Sequence, residues 1–265
     1  MTQLLDELLS LATQLASDAA AMLLDGLGRT RAEIGTKSSI TDMVTDIDRA
    51  SEALIVEGIR HARPHDAIVG EEGANVEGTS GVRWLVDPVD GTTNYLYGFP
   101  GFAVSIAAEV DGDAAVGVVH DPMHREVFTA VRGRGALRNG APIRVSTKVD
   151  LHTALVATGF GYDPQRRREQ AAVLLELLPQ IRDIRRMGAA SVDLCSAACG
   201  RVDAYYEQGL GPWDLAAGLL VAQEAGAVAG DLHGGPPSGE FVLVAPIGLF
   251  GPLREVLLSA RTAMG

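Results

Sequence analysis

Trp84-Leu85-Val86-Asp87-Pro88-Val89-Asp90-Gly91-Thr92-Thr93-Asn94-Tyr95 is the stretch on which the reading of this chain turns. Three apolar residues lead into two carboxylates three positions apart, followed by a glycine and two threonines. The pattern is that of a buried strand whose tip presents hard oxygen ligands, with small residues where a helix begins. Two carboxylates this close repel each other unless a cation lies between them. Backbone N–H groups at a helix start face the same spot and suit an anion. A divalent metal beside a phosphate is the simplest account. Pro88 lacks an N–H and fixes φ, so it is expected to end strand pairing between the two acids.

Two further segments repeat the theme. Ile68-Val69-Gly70-Glu71-Glu72-Gly73 is another apolar run ending in acids. Neighbouring residues of a strand face opposite ways, so one of the two acids enters the site, and Glu71 is the expected one. Gly211-Pro212-Trp213-Asp214-Leu215-Ala216-Ala217-Gly218 places an acid at the start of a small-residue helix.

Together these segments resemble the inositol monophosphatase family of magnesium-dependent, lithium-sensitive phosphatases, whose motifs run GEE, DPxDGTxNF and WDxAAG in that order. The likeness extends over residues 117–146 and 187–207, and so covers most of the chain. It implies a layered αβαβα sandwich of the inositol monophosphatase and fructose-1,6-bisphosphatase type, of mixed α+β and α/β character. It also implies Mg²⁺-dependent hydrolysis of a phosphate monoester by metal-activated water, with two to three Mg²⁺ ions and inhibition by Li⁺. Myo-inositol 1-phosphate is the expected substrate. Histidinol phosphate or another small sugar or nucleotide phosphate is the alternative. A non-catalytic regulatory binding protein on the same fold is the alternative of another class.

The resemblance also assigns roles. Glu71 and Asp87 share a first metal with the carbonyl of Val89. Asp87, Asp90 and Asp214 hold a second, and a third sits near Glu71. Thr92 orients the attacking water, supported by Asp48, and Gly91 with Thr92 contacts the phosphate. Gly188, Ala189, Ala190, Glu207 and Asp214 meet the substrate, and Lys37 is a possible loop contact. Taken as residues alone, Thr92 is equally a helix N-cap. Asp48 could also be a charge near a helix start, Glu207 an exposed strand-end acid, and Lys37 is equally a solvated loop lysine. Ala189 stands where relatives can carry a hydroxyl.

Bulk properties set the limits. The chain has 265 residues, 47% of them hydrophobic and 21% charged, ample for a core and unlike a disordered chain. A net charge of −12 argues against nucleic acid as the main ligand. The run Arg166-Arg167-Arg168 reads as a solvated helix face. Metal ions would reverse the sign of an acidic pocket locally, so an anionic substrate remains compatible. Cys195 and Cys199 lie four apart on one helical stretch and are expected reduced. The N-terminus does not read as a signal peptide, and no apolar run is long enough to span a membrane. A cytoplasmic enzyme acting on a small phosphorylated metabolite is expected, with no nucleic-acid or membrane partner. A homodimer is expected from the apolar strands around 103–119 and from the resemblance, since members of that family commonly dimerise. None of the six histidines has a paired metal spacing or triad context.

Helices are expected at 2–26, 46–60, 166–178, 191–200, 215–225 and 250–262, with a loop over 28–43. Strands are expected at 67–70, 83–86, 102–110, 114–120, 126–131, 154–157, 181–185, 203–206 and 241–245. Asp111-Gly112-Asp113 and Arg138-Asn139-Gly140-Ala141 read as hairpin turns. The chain divides into an N-terminal α+β part, 1–146, with a mainly antiparallel sheet and most of the metal ligands. An α/β part, 147–265, completes the site.

Overall fold

The computed structural model of the chain describes residues 2–33 and 40–262. Two long helices come first, α1 (Thr2–Glu33) and α2 (Ile40–Ala62). An eight-stranded sheet follows, built from β1 (Ala67–Gly70), β2 (Asn75–Val76), β3 (Val82–Asp90), β4 (Ala103–Val110), β5 (Asp113–Asp121), β6 (Glu126–Val131), β7 (Ala136–Arg138) and β8 (Ala141–Pro142). A short helix, α3 (Thr92–Tyr97), leaves the end of β3. The order across the sheet is β2-β1-β3-β4-β5-β6-β7-β8, and only β1 and β3 run parallel. Asp111 and Gly112, and then Asn139 and Gly140, take positive φ at the expected hairpin turns.

The second sheet has five strands in the order β10-β9-β11-β13-β12. They are β9 (Leu155–Thr158), β10 (Asp183–Arg185), β11 (Ala204–Glu207), β12 (Val228–Gly230) and β13 (Val242–Ala245). Helices α4 (Pro164–Leu177), α5 (Ala190–Ala198), α6 (Pro212–Glu224) and α7 (Ile247–Thr262) are interleaved with them. Parallel pairing of β9 with β10 and β11 needs such crossovers.

Three apolar cores stack these elements into five layers. Leu8, Leu15 and Leu23 of α1 and Ile55 and Ile59 of α2 meet Trp84, Val86 and Ile106 of the first sheet. Leu85, Ala107 and Val119, on its opposite face, meet Leu194 of α5 and Leu220 and Val221 of α6, which also cover Tyr205 and Val244 of the second sheet. Val173 and Leu177 of α4, with Leu249, Leu253 and Leu257 of α7, close the far face. The result is the expected αβαβα sandwich.

Several expectations are corrected. Residues 28–33 and 40–43 are helical rather than loop. Arg29, Arg31, Ala32 and Glu33 are good helix formers that lack an apolar stripe, so periodicity passed over them. Lys37 lies outside the described residues. Strands β4 and β5 are central and covered on both faces by the chain itself, so the expected homodimer rests on the family resemblance rather than on the apolar residues of 103–119. The two cysteines are free, with Cys195 buried in α5 and Cys199 at its C-terminal end.

Candidate active site

The residues of β3 show how two acids three apart reach one place. Trp84 and Val86 pack into the α1/α2 core and Leu85 into the opposite one, as alternation requires. Asp87 follows Leu85 to the α5/α6 side. Continued alternation would turn Asp90 the other way. Instead the pairing of β3 with β4 slips between Asp87 and Asp90, a β-bulge. Beyond it Val89 packs into the α1/α2 core, and Asp90 faces α5. Pro88 therefore interrupts the ladder without ending it, since Asp90 pairs again with Ala103. Asp87 braces the bulge by accepting the Val89 N–H on Oδ1 at 3.0 Å.

Glu71 sits just after β1, in a turn closed by Gly70 N–H donating to the Ala74 carbonyl at 2.7 Å. Glu52 of α2 grips this turn, accepting the N–H groups of Glu72 and Ala74 at 3.0 Å each. Gly70 is required here by space, because a Cβ would collide with the Glu52 carboxylate. Asp214, in the first turn of α6, accepts the Gly211 N–H at 2.6 Å, so the helix start fixes one of its oxygens. Ser105 of β4 donates to the Trp213 carbonyl at 3.2 Å and ties α6 to the first sheet.

These elements bring Glu71, Asp87 and Asp214 together, with one carboxylate oxygen of each within 4.8 Å of the others. Asp90 is beside them but differently engaged. It is buried, and it accepts from Ala190 N (3.2 Å), Ser191 N (2.7 Å) and Ser191 Oγ (2.5 Å) at the start of α5. Burial, followed by the Asp214 charge, pushes Asp90 up to about 7 despite the Ser191 hydrogen bonds. Burial also drives Glu71 up to about 7 and holds Asp87 and Asp214 above the usual carboxylate range. Glu71 is exposed by area, yet its carboxylate lies among the other acids at the mouth of the site.

Gly91 has φ +88, and a Cβ on it would press on the Gly101 carbonyl and Ala189; only glycine suits this turn. Thr92 follows as the first residue of α3 and donates its hydroxyl to the Val89 carbonyl at 3.1 Å. Asp48 is buried in α2, and its Oδ1 has no hydrogen-bond partner among the described residues. Burial, with the Glu72 and Glu71 charges, raises it to about 7. Asn94 of α3 donates to the carbonyls of Gly101 and Met187 at 2.6 Å each, stapling the first sheet to the segment that carries Gly188, Ala189 and Ala190.

A cavity of about 240 Å³ opens over the acids. Glu71, Asp87, Val89, Asp90, Gly91, Thr92 and Asp214 line one side, and Gly188, Ala189, Ala190 and Glu207 the other. All the sequence-expected residues thus converge, apart from Asp48, which lies behind the wall, and Lys37. Glu207 shares a face of β11 with Tyr205, whose hydroxyl donates to it at 2.7 Å. Burial lifts Glu207 to about 7, against the pull of Tyr205 and Arg186. A larger cavity of about 310 Å³ behind Glu207 holds none of the other expected site residues.

Sequence reasoning missed several participants. Arg166 and Arg186 line the cavity, as does Tyr162. The Arg166–Arg168 run is exposed, as a solvated face should be, but its first member turns over the site. Glu52 acts through backbone groups 20 and 22 positions along the chain, and no local signal marked it; Asn94 stands in the DPxDGTxNF motif, which marks the residue but not its partners Gly101 and Met187. Ser191, directly after the expected Gly188–Ala190 stretch, was the one within reach of the motif.

The comparisons agree with the geometry. The profile described as the inositol monophosphatase family matches residues 4–263. The chain is 40% identical over 233 residues to the Nus factor SuhB of Escherichia coli K12, covering 86% of each chain. It is 44% identical over 240 residues to an inositol-1-monophosphatase of Mycobacterium bovis, covering 82% of this chain and 81% of that one. Among solved structures, Mycobacterium tuberculosis SuhB superposes with a TM-score of 0.83 at 39% identity, covering 96% of this chain and 97% of the other. An inositol monophosphatase from Anabaena superposes at 0.85 with 36% identity and 96% of both chains. With this match running nearly end to end and the motif acids gathered in one cavity, the chain is a phosphatase that belongs to the inositol monophosphatase family.

Proposed function

We propose that the chain hydrolyses a phosphate monoester with Mg²⁺, and that myo-inositol 1-phosphate is the first substrate to test. The observation that carries the reading is the convergence of Glu71, Asp87 and Asp214 within 4.8 Å in the lining of the cavity. Burial raises all three acids, and the charges of neighbouring acids raise Glu71 and Asp87 further. Hard oxygen donors crowded in this way fit a divalent cation. Glu71 and Asp87, with the Val89 carbonyl, would hold one Mg²⁺. Asp87, Asp90 and Asp214 would hold a second, and a third would lie near Glu71. Bound there, Mg²⁺ lowers the pKa of water and stabilises a leaving oxygen.

The chain's own residues do the rest. Thr92 is anchored by its hydrogen bond to Val89 and orients the attacking water, with Asp48 supporting it from behind. Gly91 lets the backbone approach the phosphate closely. Glu207, with Gly188, Ala189 and Ala190, receives the alcohol. Histidinol phosphate is the alternative ester. We place the enzyme in the cytoplasm as a homodimer inhibited by Li⁺; among the described residues no helix is long and apolar enough to cross a membrane. Several relatives carry the name Nus factor, and a regulatory binding role on the same fold is the second reading. Retention of every motif acid favours hydrolysis.

Phosphate release from inositol 1-phosphate, histidinol phosphate, fructose 1,6-bisphosphate and adenosine 3′,5′-bisphosphate, each with Mg²⁺ or EDTA, tests this. Mg²⁺-dependent release is expected. Release that is insensitive to EDTA would remove the metal assignment, and no release at all would favour the binding role.

A further inference from the structure

We propose that the cavity of about 310 Å³ behind Glu207 is a second binding site, that it takes a small uncharged ring compound bearing hydroxyl groups, and that it shares Glu207 with the active site. The site stands apart from the phosphatase reading; its effect on turnover rests on that reading.

The cavity lies between α4 and α7, beside the ends of β9 and β11. Its volume falls within the range of small-molecule pockets, roughly 300–1,000 Å³. Gly159, Glu207 and Gln208 line both this cavity and the catalytic one, so they form the wall between the two. No acid of the metal cluster lines it.

Gln165, Glu169 and Val173 are four apart on α4 and so present one face of that helix to the cavity. Gln170 beside them is buried where a core helix ordinarily carries an apolar side chain. Its Oε1 accepts the Gly161 N–H at 3.0 Å and its Nε2 donates to the Gly159 carbonyl at 3.4 Å. The amide is thereby fixed in place, with a second N–H left over.

Other polar groups converge on the same space. Thr158 and Tyr206 are buried, with their hydroxyls side by side. Glu207 accepts the Tyr205 hydroxyl on Oε2, while its Oε1 takes no hydrogen bond from a described residue. Gln208 accepts from Arg261 on Oε1, and its N–H groups have no partner among the described residues. The rest of the wall is apolar, from Val173, Phe241 and Leu257.

Charge narrows the ligand. Arg261 lies over the Phe241 ring, 5.5 Å from its centroid, and already donates to Gln208. Glu169 accepts only from Gln165, at 3.2 Å. Two carboxylates against one committed cation disfavour an anion. A ring of hydroxyls matches instead: it donates to the carboxylates, accepts from the amides, and lays its C–H face on the apolar wall. A hydroxyl donating to Glu207 from this side withdraws that acceptor from the substrate alcohol on the other. The ligand should therefore weaken substrate binding and leave the metal cluster untouched.

The test records ¹⁵N–¹H spectra of the full chain in EDTA while myo-inositol or glucose is added. Shifts should centre on Thr158, Val173 and Leu257 and saturate in the millimolar range. Glu169→Ala, an exposed change, and Thr158→Val should together weaken binding roughly 10-fold, with melting curves to confirm folding. Shifts confined to Gly91 and Gly188, or no shifts far above millimolar concentrations, would overturn the site. Glucose 6-phosphate binding there as tightly as glucose would overturn the ligand class. With Mg²⁺ and inositol 1-phosphate, glucose should raise KM at unchanged kcat, and less so in the double variant. An unaltered KM at saturating glucose would overturn the sharing of Glu207. If no phosphate ester is hydrolysed, the phosphatase reading fails separately, and the spectra still decide the site.

Discussion

In the eight-stranded half the acids of the site sit on or just after buried strands, Glu71 after β1 and Asp87 and Asp90 on β3. In the five-stranded half the contributions come from helix starts, a strand end and loops: Asp214, the α5 N-terminus, Glu207, Arg166 and Arg186. The first half fixes carboxylates against a core that cannot shift without disturbing Trp84 and Val86. The second presents groups on segments whose side chains can change without repacking a sheet. A site divided in this way would keep the proposed metal-binding chemistry constant and leave substrate choice adjustable.

The division can be broken at its seam. Asp87→Asn should cut turnover by roughly 10³-fold. It removes one charge from a repelling cluster, so the metal-free protein should melt no lower than wild type. Asp90→Asn should lose turnover as well but also stability, by about 1–3 kcal/mol, because its oxygens receive three donors from α5. Thermal melts in EDTA separate the two, and equal melting temperatures would mean that Asp90 is not the link between the halves.

A smaller effect sharpens the account of the strand-borne side. Glu52→Gln leaves one acceptor oxygen where two N–H groups now bind. The turn that holds Glu71 should loosen, and Mg²⁺ affinity should fall by roughly 10–100-fold, read as the Mg²⁺ concentration giving half-maximal rate. An unaltered Mg²⁺ requirement would separate Glu52 from Glu71.

The least drastic test is pH. Glu71 and Glu207 are raised from 4.5, and Asp48 and Asp90 from 3.8, each to about 7. An acid with a raised pKa binds more protons folded than unfolded, so stability falls as pH rises through that window. Their destabilising effect is absent below the unfolded values and complete above about 7. In EDTA the melting temperature should therefore decline between about pH 5 and about pH 7.5. Mg²⁺ should flatten the decline, because it stabilises the ionised acids. A slope in EDTA that saturating Mg²⁺ leaves untouched would place the titrating groups outside the cluster.

Much of this was legible in the chain. Apolar runs in 83–86 and 102–131 located the first sheet, and Asp111-Gly112 and Asn139-Gly140 located its hairpins, because a short buried run and a positive-φ turn each leave a local mark. Short pieces such as Asn75–Val76 and Val228–Gly230 left none, being shorter than one period of any pattern. Polar helix was mistaken for loop at 28–33, where propensity and hydrophobic pattern disagree. The apolar residues of 103–119 are covered within the chain and carry no information on a dimer, because apolarity does not say whether a residue is covered by its own chain or by another.

The sequence by itself determined the residue types of the site, the order of its motifs, the family and the run of strands and helices. These depend on neighbours within a few positions. Only the tertiary structure decided that the bulge between Asp87 and Asp90 turns both acids to one face. It also decided that Asp90 grips α5, that Glu52 holds the Glu71 turn, and that Arg166, though exposed, lines the cavity. Each of these joins groups from 20 to 101 positions apart, or depends on a one-residue slip against a partner strand. Such contacts are chosen by packing, which no stretch of the chain carries alone.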